Sequence, residues 1–286
     1  VREARHYEPT DSSVRFFDTH AHLYDGRLIE VGFDPDKVLS LSAKAGVTRI
    51  LIPADSEESS RQAMDYVASH DGSFGVELYC SVGVHPHEAK TYTSDVEAFL
   101  ITSLDNRDKH KIRALGEIGL DYYYDLSERS VQREVFIRQL EIAKECDIPI
   151  ILHERDATGD CLDILKSFYS RGALRKSPGV CHCCSMSKEA AAEMVKMGFF
   201  IGFDGPITFK NNKKTPEVCL DTPLDRIVIE TDSPYLTPEP NRGLTNNPEF
   251  VPYVCSRIAE IKGMPLEEIA RVTYDNGCKL YEITEG

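Results

Sequence analysis

Short apolar runs alternate with longer amphipathic stretches along the whole chain, and the alternation predicts its architecture. Runs over residues 14–17, 49–52, 78–83, 112–115, 148–152, 180–183, 199–203 and 226–230 have the length and β-branched content of buried strands. The segments between them carry helical spacing. Over 130–146, Val131, Val135, Phe136, Leu140 and Ala143 fall near one helical face. Ser187 suits an N-cap, Glu189 the first turn that follows it and Gly198 the end of that helix. Pro265 stands near the start of a last helix carrying Leu266, Ile269, Ala270 and Thr273. Eight strand-like runs, each followed by helical segments, predict an α/β chain folded as a (β/α)8 barrel of the TIM type. The main rival is an open doubly wound sheet.

The pattern shows no linker. The Pro-, Gly- and Asn-rich stretch 233–252 directly follows a chemically promising strand end and reads as a loop over a site. A polar extension at residues 1–14 and a single barrel domain at 15–286 are therefore expected. The chain has 286 residues, 41% of them hydrophobic, which is enough for one large core. No charged-then-apolar leader opens it and no run of about 18 apolar residues interrupts it. A cytoplasmic enzyme with no membrane association and no obligate protein partner is the expectation. Nine cysteines, several in apolar segments, read as buried free thiols of a reducing compartment. Cys181, His182 and Cys183 are consecutive on the expected sixth strand, which would turn His182 away from both thiols.

The strand ends carry the chemistry. His20 and His22 in FFDTHAH, Glu117 in GEIGLDYYYD, His153 in PIILH, His182 in GVCHCC and Asp232 in IETDSPY each follow an apolar run. Residues two apart on a strand face one way, so His20 and His22 can converge on one cation; alone, the pair could equally be a polar strand end. Asp18 shares their parity and suits orientation of a neighbour better than ligation. Glu117 follows Gly116 at an expected strand-to-loop transition and has two oxygens with which to bridge two cations. His153 and His182 offer imidazoles to the second cation, and Asp232 an oxygen near the first. Donors from at least five strand ends favour the barrel over the open sheet.

The ordered phrases DTHAHL, GVHPH, GEIGLDYYYD, ILHERDA, CHC, GFDGPITF and IETDSPYLTPEPNRG, followed by Thr273 and Asn276, resemble the TatD family of metal-dependent hydrolases within the amidohydrolase-like barrels. The likeness runs from Phe17 to Tyr281. It implies that His20 and His22 hold one divalent ion, that Glu117 bridges, that His153 and His182 hold the other, and that Asp232 orients or deprotonates the attacking water. Asp232 and Glu117 are thus the expected catalytic residues, and the cofactors two divalent ions, Mg²⁺, Mn²⁺ or Zn²⁺. The implied reaction is phosphodiester hydrolysis, commonly a 3′ to 5′ exonuclease acting on DNA that is single-stranded or has an accessible 3′ end, with RNA left open. A barrel hydrolase of a non-nucleic-acid ester, lactone or amide is the alternative. Cys181 and Cys184 replace larger residues common in the family, which bears on pocket shape.

A net charge of −14 argues against a basic coat that tracks nucleic acid. It leaves a local cationic centre open. Two divalent cations against Glu117 and Asp232 leave a formal charge of about +2 beside neutral imidazoles. His85 is the expected partner of substrate or water, with His87 turned elsewhere. Arg155 and Arg242 could present forked donors to phosphate, or form surface salt bridges. Tyr122, with Tyr123, Tyr124 and Tyr235 as neighbours in role, could stack on a terminal base. Lys210, Lys213 and Lys214 could guide a backbone or simply be solvated.

Overall fold

The computed structural model describes residues 3–284; the first two residues of the expected extension and the last two of the expected domain lie outside them. Eight strands follow one another in space as in sequence: β1 Phe16–Asp18, β2 Val47–Ile52, β3 Glu77–Val82, β4 Ile112–Asp121, β5 Ile150–Arg155, β6 Gly179–Cys181, β7 Phe200–Phe203 and β8 Ile227–Ile229. All neighbouring pairs are parallel. Helices α1 Gly26–Glu30 and α2 Pro35–Lys44 follow β1. Then α3 Glu57–His70, α4 Ser94–Asp105, α5 Arg129–Glu145, α6 Thr158–Ser170, α7 Lys188–Lys196, α8 Lys214–Asp221 and α9 Val251–Lys262 each follow the next strand, and α10 Leu266–Leu280 comes last. This is the expected (β/α)8 barrel.

The seam between β8 and β1 closes by a few bonds rather than a long ladder. The Thr19 amide donates to the Ile229 carbonyl at 3.1 Å, the Asp232 amide to the His20 carbonyl at 2.9 Å and the His22 amide to the Ser233 carbonyl at 2.8 Å. Closing the barrel is therefore the same event as bringing His20, His22 and Asp232 together.

Alternation along each strand sorts side chains into two sets. Phe16, Ile50, Ile52 and Leu115 face the helices, whereas Phe17, Leu51, Tyr79, Ala114, Ile151, Val180, Phe200 and Val228, one per strand, fill the interior. The amino end is sealed by α10 and the residues after it: Tyr274, Leu280, Tyr281 and Ile283 join the interior set. Gly277 makes that docking possible, because a Cβ there would lie 2.6 Å from the Phe17 ring. Asn276 Nδ2 donates to the carbonyls of Leu224 and Ile227 at 2.9 and 2.8 Å, satisfying backbone at the start of β8.

Local signals read from the sequence hold with small shifts. Ser187 caps α7, accepting from the Ala190 amide, and Glu189 stands in the first turn. Helix α7 ends at Lys196 with Met197 as its C-cap, and Gly198 follows with φ of +99°, one residue beyond the stop. Strand β6 stops at Cys181, two residues short of the expected end, so the strand alternation expected for His182 and Cys183 does not apply. Among the described residues none of the nine cysteines forms a disulfide. The described part of the extension packs against the β8–α9 region: Arg5 exchanges backbone bonds with the Asn241 side chain at 2.7 and 2.8 Å, and the Tyr7 ring meets Phe16 and Tyr253 edge-on. Among the described residues no helix is long and apolar enough to cross a membrane.

Candidate metal centre

Strand β4 runs on through Glu117 to Asp121, so Glu117 lies inside a strand rather than at the strand-to-loop transition read from the sequence. Gly116 pairs with Ile151 and Ile118 with Leu152, leaving Glu117 as the extra residue of a bulge. A bulge turns a side chain off the regular alternation, and here it aims the carboxylate into the barrel mouth. The Glu117 amide donates to the Ala54 carbonyl at 2.6 Å, which pins the bulge to the loop after β2. Gly119, at φ +146°, is needed beside it because a Cβ would collide with the His153 carbonyl.

Two donor sets meet at this carboxylate. In the first, Glu117 Oε1 lies 3.1 Å from His20 Nε2 and 3.2 Å from His22 Nε2, while Asp232 Oδ1 lies 3.5 and 3.4 Å from the same nitrogens. The two nitrogens are 3.3 Å apart. In the second, Glu117 Oε2 is 3.1 Å from His182 Nε2 and 3.5 Å from His153 Nδ1, with 3.4 Å between the nitrogens. A tetrahedron with zinc–nitrogen bonds of about 2.0–2.1 Å has edges of about 3.3 Å. Lone-pair donors converging at that spacing fit one cation in each set, with Glu117 shared.

The surroundings fix which atom of each imidazole faces inward. Asp121 Oδ2 accepts from His153 Nε2 at 3.0 Å, leaving Nδ1 to point at Glu117. The same oxygen accepts from His87 Nε2 at 2.8 Å, and the other takes the amides of Tyr123 and Tyr124. Burial pushes the Asp121 carboxyl up, but these partners, His153 first, hold it below the carboxylate range. The His20 ring stacks on the His182 ring at 4.0 Å, and Glu230 reaches behind both, its Oε1 3.6 Å from His182 Nδ1. Asp18 works through the backbone and a hydroxyl. It accepts from the Thr231 amide at 2.9 Å, the Thr231 hydroxyl at 2.6 Å and the His20 amide at 3.3 Å, holding the seam, and burial pushes its pKa up to about 8.

Charge within the mouth is strongly coupled. Burial alone would keep Glu117 protonated, yet His182 and His20 hold its carboxyl well below the usual range. Asp232 is likewise held low against its burial by His22, His20 and His182. Burial and the neighbouring His153 push His85 well below the usual imidazole value, so it is neutral. Burial, then Glu230 and Asp232, drive Asp204 well above the carboxylate range.

A cavity of about 690 Å³ opens above the two sets. Of the residues named from the sequence, His22, His85, Glu117, His153, Arg155, His182 and Asp232 line it, and fully buried His20 joins from beneath. His85 Nε2 stands 3.8 Å from Glu117 Oε2. Three expectations need correction. His87 does not point away: it lines the cavity through its bond to Asp121. Tyr122 is outside the lining, because its hydroxyl donates to Asp160 at 2.6 Å and its ring is covered by Arg129; Tyr124 and Tyr235 line the cavity instead. Arg242 is also outside it, with its guanidinium 4.0 Å over the Phe209 ring. Lys214 donates to the Ser185 carbonyl at 2.6 Å at the edge of the mouth, and Lys210 and Lys213 are exposed. Asp121, Glu230 and Asp204 were not singled out from the sequence as site residues. The signal was there for Glu230, an acidic residue closing the buried run IVI two positions before Asp232.

The chain is 41% identical to a protein of Bacillus subtilis (strain 168) described as the uncharacterized metal-dependent hydrolase YabD, over 93% of this chain and 99% of that one. It is 32% identical to one of Mycobacterium tuberculosis (strain ATCC 25618 / H37Rv), described as the uncharacterized metal-dependent hydrolase TatD, over 87% and 92%. Among solved structures, the TatD homologue YjjV of Escherichia coli K12 superposes with a TM-score of 0.83 at 30% identity, covering 95% of this chain and 99% of that one. A family model described as TatD related DNase matches residues 17–282, which includes every donor of both sets, and the chain therefore belongs to the TatD-related DNase family, as a metal-dependent hydrolase.

Proposed function

We propose that the chain is a phosphodiester hydrolase, a 3′ to 5′ exodeoxyribonuclease whose water attacks at a two-cation centre held by His20, His22, Glu117 and Asp232 on one side and Glu117, His153 and His182 on the other. The observation that carries this reading is the shared Glu117 carboxylate, with one oxygen on each donor set. Mg²⁺, Mn²⁺ or Zn²⁺ held by these residues would supply Lewis acidity toward a phosphoryl oxygen and would lower the pKa of water.

The chain's own residues supply the rest. Asp232, kept ionised by the surrounding imidazoles, accepts the proton of the attacking water and orients it. Neutral His85 hydrogen-bonds water or a phosphate oxygen from the opposite wall. Arg155 is exposed at the rim, stacked 4.0 Å over Tyr123 and 4.9 Å over Tyr124, a posture that presents its fork to backbone phosphate. Tyr124 and Tyr235 offer ring faces to a terminal base. The cavity size falls in the range of small-ligand sites, which suits a strand end rather than the body of a duplex.

One observation favours the second reading, hydrolysis of an uncharged ester, lactone or amide. Asp25, Asp55, Glu88 and Glu154 line the cavity against only Arg27 and Arg155, an acidic rim for a polyanion. Metal-stripped protein restored separately with Mg²⁺, Mn²⁺ or Zn²⁺ distinguishes the two when offered end-labelled DNA, end-labelled RNA and a panel of phosphate esters, lactones and amides. Stepwise shortening of DNA from the 3′ end supports the nuclease reading; turnover of the carbonyl panel alone replaces it. Asp232→Asn should keep the cation at Glu117, His153 and His182 yet lower kcat roughly 10²-fold. Full metal occupancy with an unchanged single-turnover rate would remove Asp232 from proton transfer.

A further inference from the structure

Asp232 also belongs to a further group of donors, whose other two members neither set uses. Cys183 follows β6, Asp204 follows β7 and Asp232 follows β8, so adjacent strand ends deliver them together. Cys183 Sγ, one Asp204 oxygen and one Asp232 oxygen lie within 4.8 Å of one another. Asp204 is 2% exposed, and its Oδ2 has no hydrogen-bond partner. The fully buried Glu230 stands behind it, Oε1 accepting from the Cys183 amide and Oε2 without a partner. Burying carboxyl oxygens with no hydrogen-bond partner is costly, and gathering three carboxyl groups there compounds the cost. A cation would offset it.

The donor chemistry narrows the ion. A thiolate beside two carboxylates disfavours Mg²⁺ and Ca²⁺, which take oxygen ligands, and suits zinc, which accepts sulfur and oxygen in one tetrahedron. Cys183 and Asp232 line the cavity while Asp204 closes the group from behind, so an ion has a path from solvent and three donors on arrival. Asp232 turns Oδ1 toward His20 and His22, which leaves its second oxygen for a different partner.

We propose that Cys183, Asp204 and Asp232 form a third cation site, for Zn²⁺, joined to the first donor set through Asp232 as the two sets are joined through Glu117. Zinc–sulfur and zinc–oxygen distances of about 2.3 and 2.0–2.2 Å require the donors to draw in by side-chain rotation. Binding releases the Cys183 thiol proton and the Asp204 carboxyl proton to solvent as the sulfur–zinc and oxygen–zinc bonds form. With an ion there, both Asp232 oxygens are engaged, so the occupied site withdraws Asp232 from proton transfer.

The test uses the full chain and does not depend on turnover. Metal-stripped protein is titrated with Zn²⁺ or Co²⁺, and bound metal is counted by native mass spectrometry while absorption is followed. The expected result is about three equivalents, with a thiolate-to-cobalt charge-transfer band appearing as the third Co²⁺ binds. Cys183→Ser should abolish the band and leave about two equivalents; Asp204→Asn should also leave about two. Circular dichroism establishes that each variant is folded, and the wild-type spectrum alone decides if neither is. Saturation of the wild type at two equivalents without the band overturns the site, as does a third equivalent or band that survives Cys183→Ser.

Discussion

At the amino end of the barrel, Phe17, Leu51, Tyr79, Phe200 and Val228 fill the interior under the cover of Tyr274 and Tyr281. At the other end of the barrel, β1, β4, β5 and β6 and the residues after them place His20, His22, Glu117, His153 and His182 in the interior. At the amino end the Tyr281 hydroxyl donates to the Thr19 carbonyl at 3.0 Å and Asn276 Nδ2 to two strand carbonyls, with Asn276 Oδ1 buried without a hydrogen-bond partner. The carboxyl end leaves His20 Nδ1, His182 Nδ1, Asp204 Oδ2 and Glu230 Oε2 buried without partners. Positive φ occurs at both ends, at Cys183 and Asp232 (+43° and +56°) beside the mouth and at Lys111 and Asp147 (+53° and +48°) before β4 and β5. Strain and unpaired polar atoms persist only where surrounding packing over-determines them. One end of the same sheet thus supplies the rigidity on which the other end holds converging donors.

The strongest way to break that division is at Glu117. Glu117→Ala should release metal from both donor sets and reduce turnover to background while leaving secondary structure intact, because two cations then face each other without a shared anion. Glu117→Gln should impair the centre as well, since it keeps the volume and loses the charge. Elemental analysis beside a cleavage assay measures both. Normal stoichiometry with near-normal cleavage would reject the bridge.

The converse substitution is Phe200→Ala, which opens a hole at the sealed end. It should lower unfolding free energy by about 3–5 kcal/mol in denaturant titration, yet the folded fraction should bind metal with unchanged stoichiometry. Loss of metal from folded protein would show that the two ends are not separable.

A smaller effect sharpens the comparison at the rim. Arg155→Ala should raise KM for an oligonucleotide roughly tenfold, the loss of about 1.4 kcal/mol of charge-assisted contact, with metal content unchanged. Arg242→Ala, removing a side chain packed over Phe209 outside the cavity, should move KM by less than about twofold. Steady-state kinetics at matched salt read both, and equal effects would put Arg242 back on the substrate.

The smallest effect lies on the outer wall. Arg138 donates to Glu97 at 2.7 and 3.0 Å and, as the largest influence, holds that carboxyl below its ordinary value. A carboxylate with a depressed folded pKa adds stability above its unfolded pKa and loses it as pH falls through the folded one. The Tm deficit of Glu97→Gln should therefore be present near pH 7 and shrink below about pH 4. A deficit that grows with acid would reverse the assignment. Metal content should not change at either pH relative to wild type.

The donor residues were legible because each follows a buried run, and an imidazole or carboxylate carried into the interior there needs a partner, such as a cation, to offset its desolvation. His20 and His22 converge as expected, although β1 ends at Asp18 and both lie beyond it, held by the seam bonds rather than by strand alternation. The same reasoning failed at Tyr122 and Arg242, where a side chain beyond a strand end can turn either way. Tyr122 turned to Asp160 and Arg242 to Phe209 because those partners come from other strand–helix units. The Cys183 and Asp204 pairing was equally invisible, since it joins the loops after β6 and β7.

By itself, the sequence determined the number and order of the strands and which imidazoles and carboxylates stand at their ends, since hydrophobic period and strand-end position are local properties. The tertiary structure alone decided that Glu117 sits on a bulge with one oxygen for each donor set. It likewise decided that Asp121 and Glu230 stand behind the imidazoles and that closing the seam sets His20, His22 and Asp232 within 3.5 Å. These are distances between residues far apart in the chain. They follow from strand register and barrel closure, which no local pattern encodes.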